Sequence, residues 1–202
     1  MKAIFKALFA AIFRAAGATA LMLAACASVP DHLYVLADRP PAAAMATPTG
    51  APTGTIRLRT TLAPLVDRNE LVLNGPAQGD AVLMLQHERW ATNLGDQVSR
   101  TLARDLERRR PDLLVADGAF ERAAAKPILM TVSVVTLSAR LGGRATLAAH
   151  WRIEDPAAGK DVLGSDKFEI DLDGADYAAV AQAFSALVGE LADRLTASLG
   201  TP

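Results

Sequence analysis

Apolar and polar residues alternate along three short stretches in the first half of the chain's body. Residues 55–60 (Thr-Ile-Arg-Leu-Arg-Thr) repeat with a period of two, which is typical of a strand buried on one face. Residues 70–73 and 81–85 are apolar runs, and the turn-forming residues 74–76 (Asn-Gly-Pro) lie between them. The pattern therefore predicts three strands in this region.

The period changes to that of a helix from residue 90 onward. An apolar residue recurs every four positions, and this stripe consists of Trp90, Leu94, Val98, Leu102 and Leu106. Either Thr92 or Asn93 can cap the start of the helix. The three arginines at 108–110 and the following Pro111 indicate where it ends. A brief strand is predicted after it, at residues 113–115.

The second half of the chain predicts three more elements. Residues 128–139 are rich in β-branched side chains, and residues 141–144 (Leu-Gly-Gly-Arg) suit a tight hairpin turn. The return strand alternates strictly, and its apolar face consists of Ala145, Leu147, Ala149, Trp151 and Ile153. After a turn at 155–159, residues 162–172 form another strand. Asp176 then caps a long amphipathic helix that ends at Gly200.

These elements predict an α+β fold, an antiparallel β-sheet meander with two amphipathic helices packed on one face. The strand at 128–139 is apolar on both of its faces. Two helices cover only one side of such a sheet, so Val135 and Leu137 are expected on an exposed apolar patch unless residues 33–36 cover it. Exposed patches of this kind usually mark interaction sites. We therefore expect a partner on this face, with the loop at 65–68 beside it.

The first 26 residues have the layout of a secretory signal followed by a lipidation site. Lys2, Lys6 and Arg14 carry the only charges before an apolar stretch at 15–25, which is shorter than the roughly 20 residues of a membrane-spanning helix. The stretch ends in Leu-Ala-Ala and Cys26, the only cysteine of the chain. This site resembles the lipobox of bacterial lipoproteins, in which acyl chains attached to the cysteine anchor the protein. The alternative is an unpaired or structural cysteine in an ordinary signal sequence.

The organisation that follows from this is a signal peptide at 1–25, a lipidated N-terminus with a short strand at 26–37, a linker at 38–54 and one periplasmic domain at 55–200. The linker is rich in Pro, Ala, Thr and Gly, and an extended chain of this kind can hold the body away from the lipid. If residues 33–36 dock on the body as a strand, that reach becomes shorter.

Composition changes this picture in two ways. Removal of residues 1–25 takes away three of the 21 basic residues and no acid, which leaves 18 basic against 22 acidic residues and a net charge near −4. A mildly acidic body gives no reason to expect nucleic acid as a partner. Because the only cysteine is assigned to the lipid, no disulfide is available and packing must hold the fold.

The sequence offers no strong motif for chemistry. His32, His87 and His150 are far apart in the sequence, and no Gly-x-Ser-x-Gly elbow is present to activate a serine. No Cys or His pair has the spacing of a metal site. Residues 171–176 resemble only the start of a calcium loop, because the closing glutamate is absent. We therefore predict no enzyme activity, no metal and no cofactor, although a triad of scattered residues stays open.

Three stretches together resemble a known family. Residues 26–30 (Cys-Ala-Ser-Val-Pro) precede the strand-like 33–36, residues 62–72 contain Ala-Pro-Leu-Val-Asp-Arg, and residues 87–94 (His-Glu-Arg-Trp-Ala-Thr-Asn-Leu) lead into a helix. This combination is similar to the ABC-type transport auxiliary lipoproteins, the PqiC-like family. Thr92 and Asn93 stand where Glu-Pro is common in that family.

The resemblance implies a function that composition alone does not. It implies an outer-membrane component of an MCE-type system, which moves lipid or another hydrophobic compound, with an MCE-domain protein and its inner-membrane permease as partners. The chain would dock the MCE protein without chemistry of its own, and the resemblance also allows a homo-oligomeric ring. We assign partner binding to Leu65, Asp67, Arg68, Val135 and Leu137. The alternative is a regulatory or structural outer-membrane lipoprotein, such as a cell-wall synthase activator.

Overall fold

The computed structural model describes residues 29–41, 51–75, 81–117 and 126–200. The signal peptide, Cys26, most of the predicted linker and part of the turn after residue 75 lie outside the described residues. The strands are β1 (His32–Tyr34), β2 (Gly54–Leu62), β3 (Glu70–Asn74), β4 (Val82–Trp90), β5 (Leu113–Asp117), β6 (Ile128–Ala139), β7 (Arg144–Asp155) and β8 (Lys160–Asp171). The helices are α1 (Leu94–Arg109) and α2 (Tyr177–Leu199). Mixed helices and strands of this kind confirm the predicted α+β class.

The strands form two sheets where the sequence predicted one meander. The larger sheet has the order β5-β2-β6-β7-β8, and the smaller has the order β1-β4-β3. Strands β6, β7 and β8 pair antiparallel as predicted. Strand β2, however, pairs parallel with both β5 and β6, and β1 pairs parallel with β4. Parallel partners are joined by long connections, so local turn signals do not show them.

One apolar core connects the sheets and the helices. Its fully buried members come from every layer and include Ile56 of β2, Leu102 of α1, Met130 of β6, Leu147 of β7 and Leu191 of α2. The predicted apolar face of β7 is buried along its whole length. In the described part of the chain, no helix has the length and apolar character that a membrane crossing requires.

The start of α1 corrects one prediction. Asn93 caps the helix, its side chain accepting a hydrogen bond from the Gly95 N–H at 2.8 Å. Trp90 is therefore not part of the helical stripe but the last residue of β4. Its backbone N–H donates to the Asn69 carbonyl at 2.6 Å, and its ring stacks on Phe184 of α2. Trp90 fitted the four-residue period of α1 because β4 also buries an apolar residue at the end of the core where this helix begins.

A β-bulge in β6 corrects a second prediction. Val134 pairs with Ala149 of β7 and Thr136 pairs with Ala148, so Val135 is an extra residue without a partner. The bulge shifts the alternation of side chains by one position. Val135 is 42% exposed, as predicted, whereas Leu137 turns into the core and is only 1% exposed. The expectation that Leu137 lies on an exposed face beside Val135 is therefore wrong.

The segment after the predicted lipidation site docks on the body, which was the second of the two possibilities for residues 33–36. Strand β1 pairs with β4, and Leu36 is buried in the core. Arg39, at the beginning of the predicted linker, donates its backbone N–H to Asp105 of α1 at 2.8 Å. At the other end of the linker, the Thr53 N–H donates to the Asp112 carbonyl at 2.8 Å. Both ends of the predicted linker that the structure describes are thus hydrogen-bonded to the body.

Candidate partner-binding surface

The bulge in β6 forms one wall of an apolar groove of about 130 Å³. The other walls come from the loop after β2 and from the neighbouring ends of β3 and β4. The groove is lined by Ala63, Leu65, Val66, Val72, Asn74, Val82, Val135, Thr136, Leu137 and Ser138. It is thus formed where the two sheets meet.

Leu65 and Val135 both line this groove although they are 70 positions apart in the chain. Leu65 is 50% exposed and Val135 is 42% exposed, so both present apolar area to solvent. Leu137 also lines the groove, but from the buried side. The structure thus brings together three of the five residues assigned to partner binding, and two of them are accessible.

The loop that carries Leu65 is held in place by backbone hydrogen bonds at both ends. The Ala63 N–H donates to the Val134 carbonyl at 3.0 Å, which ties the loop to the residue before the bulge. At its far end, the Leu94 N–H of α1 donates to the Arg68 carbonyl at 3.2 Å. The groove is therefore built on fixed elements, which suits a docking surface because little order must be gained on binding.

Asp67 acts within this loop as a second cap for α1. Its Oδ1 atom accepts a hydrogen bond from the Gly95 N–H at 3.1 Å, and its carbonyl accepts one from the Asn93 side chain at 3.2 Å. A Cβ atom at Gly95 would clash with Asp67 Oδ1, so this approach requires glycine. A carboxylate at the positive end of a helix is also favourable electrostatically. These contacts give Asp67 of the Ala-Pro-Leu-Val-Asp-Arg stretch a structural role at the start of α1.

The charge of Arg68 has no acidic partner among the described residues. Its Nη1 atom contacts the Met84 sulfur at 3.5 Å, and no carboxylate of the described part of the chain lies within ion-pair distance. Arg68 is partly buried, and its Nε atom has no hydrogen-bond partner there. Arg68 does not line the groove, but it lies in the loop that carries Leu65, so this surface suits a partner that combines an apolar side chain with an acidic group.

Sequence reasoning missed the contribution of β4 to this surface. Val82, Leu83 and Met84 are 43%, 45% and 49% exposed, and Val82 lines the groove. The available signal was the continuous apolar run at 81–85, which we interpreted only as a strand. The exposed apolar area therefore extends from Val135 and Leu65 onto the start of β4.

The histidines are dispersed rather than assembled into a site. His32 contacts Glu88 at 2.9 Å and His87 contacts Asp31 at 3.1 Å, both on the β1–β4 seam. His150 is exposed on β7. Within residues 29–41, 51–75, 81–117 and 126–200, no group of His, Cys, Asp and Glu side chains is arranged to hold a metal ion.

Two ionisable groups of this seam, Tyr34 and Glu88, have shifted pKa values. Burial and the Glu88 carboxylate raise the pKa of Tyr34 to about 12. Burial alone would raise the pKa of Glu88, but hydrogen bonds from Tyr34 at 2.6 Å and from His32 outweigh it and hold this pKa below its usual value. These interactions fasten β1 to β4, and none of them is aimed at the groove.

Comparison with known proteins gives one family and several similar folds. The family model described as ABC-type transport auxiliary lipoprotein component matches residues 34–196. A crystal structure titled only as an uncharacterized protein is similar with a TM-score of 0.68 and 13% identity, covering 85% of this chain and 100% of the other. Protein XCC0632 from Xanthomonas campestris is similar with a TM-score of 0.62 and 14% identity, covering 83% and 94%. At these identities the structures show the fold alone. No curated protein matches the sequence.

Proposed function

We propose that this chain, which belongs to the family of ABC-type transport auxiliary lipoprotein components, docks the periplasm-spanning MCE protein of a transport system. In this proposal it is the outer-membrane component, and the inner-membrane permease acts at the other end of the same assembly. The cargo is a lipid or another hydrophobic compound. The chain contributes a binding surface and an anchor, and it carries out no chemical step.

The anchor in this proposal is the lipidated Cys26. Ala27 follows it, and lipoproteins without Asp at that position usually go to the outer membrane of Gram-negative bacteria. The body then faces the periplasm, where its docking surface is accessible to a protein that extends from the inner membrane.

The observation that carries the proposal is the presence of Leu65 and Val135 at one preformed groove, with Arg68 in the same loop and without a carboxylate partner among the described residues. The buried centre of a protein interface is more apolar than the rest of the surface, and arginine is enriched in interfaces. We propose that an apolar side chain of the MCE protein enters the groove and that an acidic group of that protein pairs with Arg68. Further copies of this chain complete a homo-oligomeric docking platform.

A charge placed in the groove tests the proposal. Val135→Glu introduces a carboxylate at an exposed bulge position, so the fold should remain while the apolar contact is lost. The matched control is Leu163→Glu on β8, where the parent side chain is 72% exposed and lies away from the groove. Crosslinking in intact cells should capture the MCE protein with the parent and with Leu163→Glu, and capture should fall strongly with Val135→Glu.

Three outcomes decide the proposal. Equal capture by both variants would place the interface elsewhere. Unfolding of Val135→Glu, seen as loss of its cooperative urea transition, would show that Val135 belongs to the core, and Leu65→Glu would then replace it as the test. Capture of a cell-wall synthase in place of any MCE protein would favour the alternative role of a regulatory or structural lipoprotein.

A further inference from the structure

The side chains of residues 33–36, in and just after β1, alternate between the body and the solvent. Tyr34 and Leu36 point toward the body, where Tyr34 bonds to Glu88 and Leu36 is 5% exposed. Leu33 and Val35 alternate with them and are 65% and 62% exposed. Side chains two positions apart lie on the same face of an extended segment. Leu33 and Val35 thus present a continuous apolar edge to the outside.

This edge is held firmly by the body. We call residues 31–39 the docked segment. Besides the pairing of β1 with β4, its backbone N–H groups reach three side chains: that of Leu36 donates to Gln97 at 2.8 Å, that of Ala37 to Ser185 at 3.0 Å and that of Arg39 to Asp105 at 2.8 Å. These acceptors belong to both helices. The docked segment is therefore part of the body and not a flexible linker.

The covalent distance from the predicted anchor to this segment is short. Six residue steps lead from Cys26 to His32, and a fully extended chain spans at most ~3.3–3.6 Å per residue, or about 20 Å in all. The Pro, Ala and Thr-rich stretch follows the docked segment in the chain, so it adds no length to this connection. A body attached by so short a tether stays next to the lipid surface.

We propose that Leu33 and Val35 form a membrane-contacting edge, which rests on the bilayer in which the acyl chains of Cys26 are inserted. The inference depends on the lipidation of Cys26 in the proposed function, but not on docking of the MCE protein. Apolar side chains exposed next to a lipid anchor gain free energy by entering the boundary between headgroups and acyl chains. The contact fixes which end of the body faces the membrane.

The charges beside the edge are paired, which sets the kind of lipid that is needed. Leu33 is in register with Arg89, whose guanidinium lies 3.5 Å from Glu70 and 3.9 Å from Asp31. His87 also contacts Asp31. Because these cations have acidic partners, attraction to anionic headgroups is weak. The edge is expected to contact zwitterionic phosphatidylcholine as well as anionic membranes.

Fluorescence of a labelled side chain tests this contact on the full, lipidated protein. The native cysteine is acylated, so Val35→Cys offers a single free thiol for an environment-sensitive dye, and Leu163→Cys on β8 is the control. Mass spectrometry first verifies acylation of both proteins. In vesicles of phosphatidylcholine with a nitroxide on the acyl chain, the dye at position 35 should shift to the blue and lose fluorescence, and the dye at position 163 should not.

An insertion tests whether the short tether is the reason why position 35 contacts the membrane. A flexible Gly/Ser insertion of roughly ten residues spans about 17 Å on average. Placed between Pro30 and Asp31 it should reduce the loss of fluorescence at position 35, whereas the same insertion within residues 42–50 should leave it unchanged.

Two results would overturn the proposal. One is an acylated protein whose dye at position 35 is as little quenched as that at position 163. The other is a blue shift that disappears when the protein is diluted at constant lipid, because it would indicate contact with a second copy of the chain. If the protein did not capture an MCE protein but its dye at position 35 was still quenched, the proposed function would be contradicted. The membrane-contacting edge would still be supported.

Discussion

Arg109 of α1 donates two hydrogen bonds to the Asp193 carboxylate of α2, from Nε at 2.6 Å and from Nη2 at 3.1 Å. The arginine is 1% exposed, and its remaining N–H groups donate to the carbonyls of Arg39, Asp105 and Gly189. A buried guanidinium needs this many acceptors to offset the loss of water. One side chain thus joins the two helices and the docked segment.

Replacement of this arginine should be costly, in contrast to replacement of its neighbour. Arg109→Ala removes the cation from the fully buried Asp105 and all five hydrogen bonds of the guanidinium, so we expect a loss of ~3–5 kcal/mol of unfolding free energy. Arg108 is 47% exposed and pairs with Asp38 at 2.7 Å, so Arg108→Ala should cost about 1 kcal/mol or less. Urea unfolding of both variants measures the difference. Equal losses would show that the network around Arg109 does not stabilise the fold.

Trp151 and Arg152 give a second matched pair, on the two faces of β7. Trp151 is 4% exposed, and its indole N–H donates to Asp166 at 2.7 Å, so Trp151→Ala should cost ~3–5 kcal/mol. Arg152 points to solvent, where it pairs with Asp161 and Glu154, and its replacement by Ala should change stability little. Thermal or urea unfolding checks both. Comparable losses would mean that the two faces of the strand are equally important for packing.

The sequence predicted the elements that depend on neighbours in the chain. Strands β6 to β8 and helix α2 have strict periods and sharp turns, and the structure has them at nearly the predicted bounds. The parallel pairing of β2 with β5 and β6 depends instead on contacts between distant segments. No local pattern encodes such pairing, which is why the predicted meander was too simple.

The surface could be predicted only in part for a similar reason. Val135 and the loop of Leu65 were expected to lie side by side, and both residues line the groove, whereas partner binding there stays a prediction. Leu137 was placed on the wrong face, since one extra residue in a bulge reverses every later position and leaves no mark in the composition. The three arginines at 108–110 also look alike in sequence, although Arg109 and Arg110 are 1% and 8% exposed and the Arg108 side chain is 47% exposed.

Replacement of Cys26 tests the anchor itself. Cys26→Ser removes the thiol that accepts the lipid, so the precursor should remain uncleaved at this site and should lose its acyl chains. Mass spectrometry and membrane fractionation measure both effects. Unchanged mass and unchanged outer-membrane fractionation would contradict lipidation at Cys26, and Ser28→Ala, two residues further on, serves as the control that should behave as the parent does.

Acid should loosen the docked segment through Glu88. The pKa of this carboxyl is lowered in the folded state, since hydrogen bonds from Tyr34 and His32 outweigh the effect of burial. A group with a lowered folded pKa contributes stability above its unfolded pKa, near 4.5, and loses that contribution as the pH falls through the folded value. Glu88→Gln should therefore be less stable than the parent at neutral pH. In urea unfolding, the difference between the two proteins should shrink as the pH is lowered below about 4.

The tyrosine at the same contact gives an independent measurement. The chain has two tyrosines, so in a Tyr177→Phe background the ultraviolet titration reports Tyr34 alone, whose pKa is raised to about 12. Glu88→Gln removes the negative charge that opposes ionisation of Tyr34, and the pKa should fall but stay above 10.0 because the burial remains. Glu154→Gln on β7 is the control and should leave the titration unchanged. A Tyr34 pKa that does not respond to Glu88→Gln would show that this carboxylate does not hold β1 against β4.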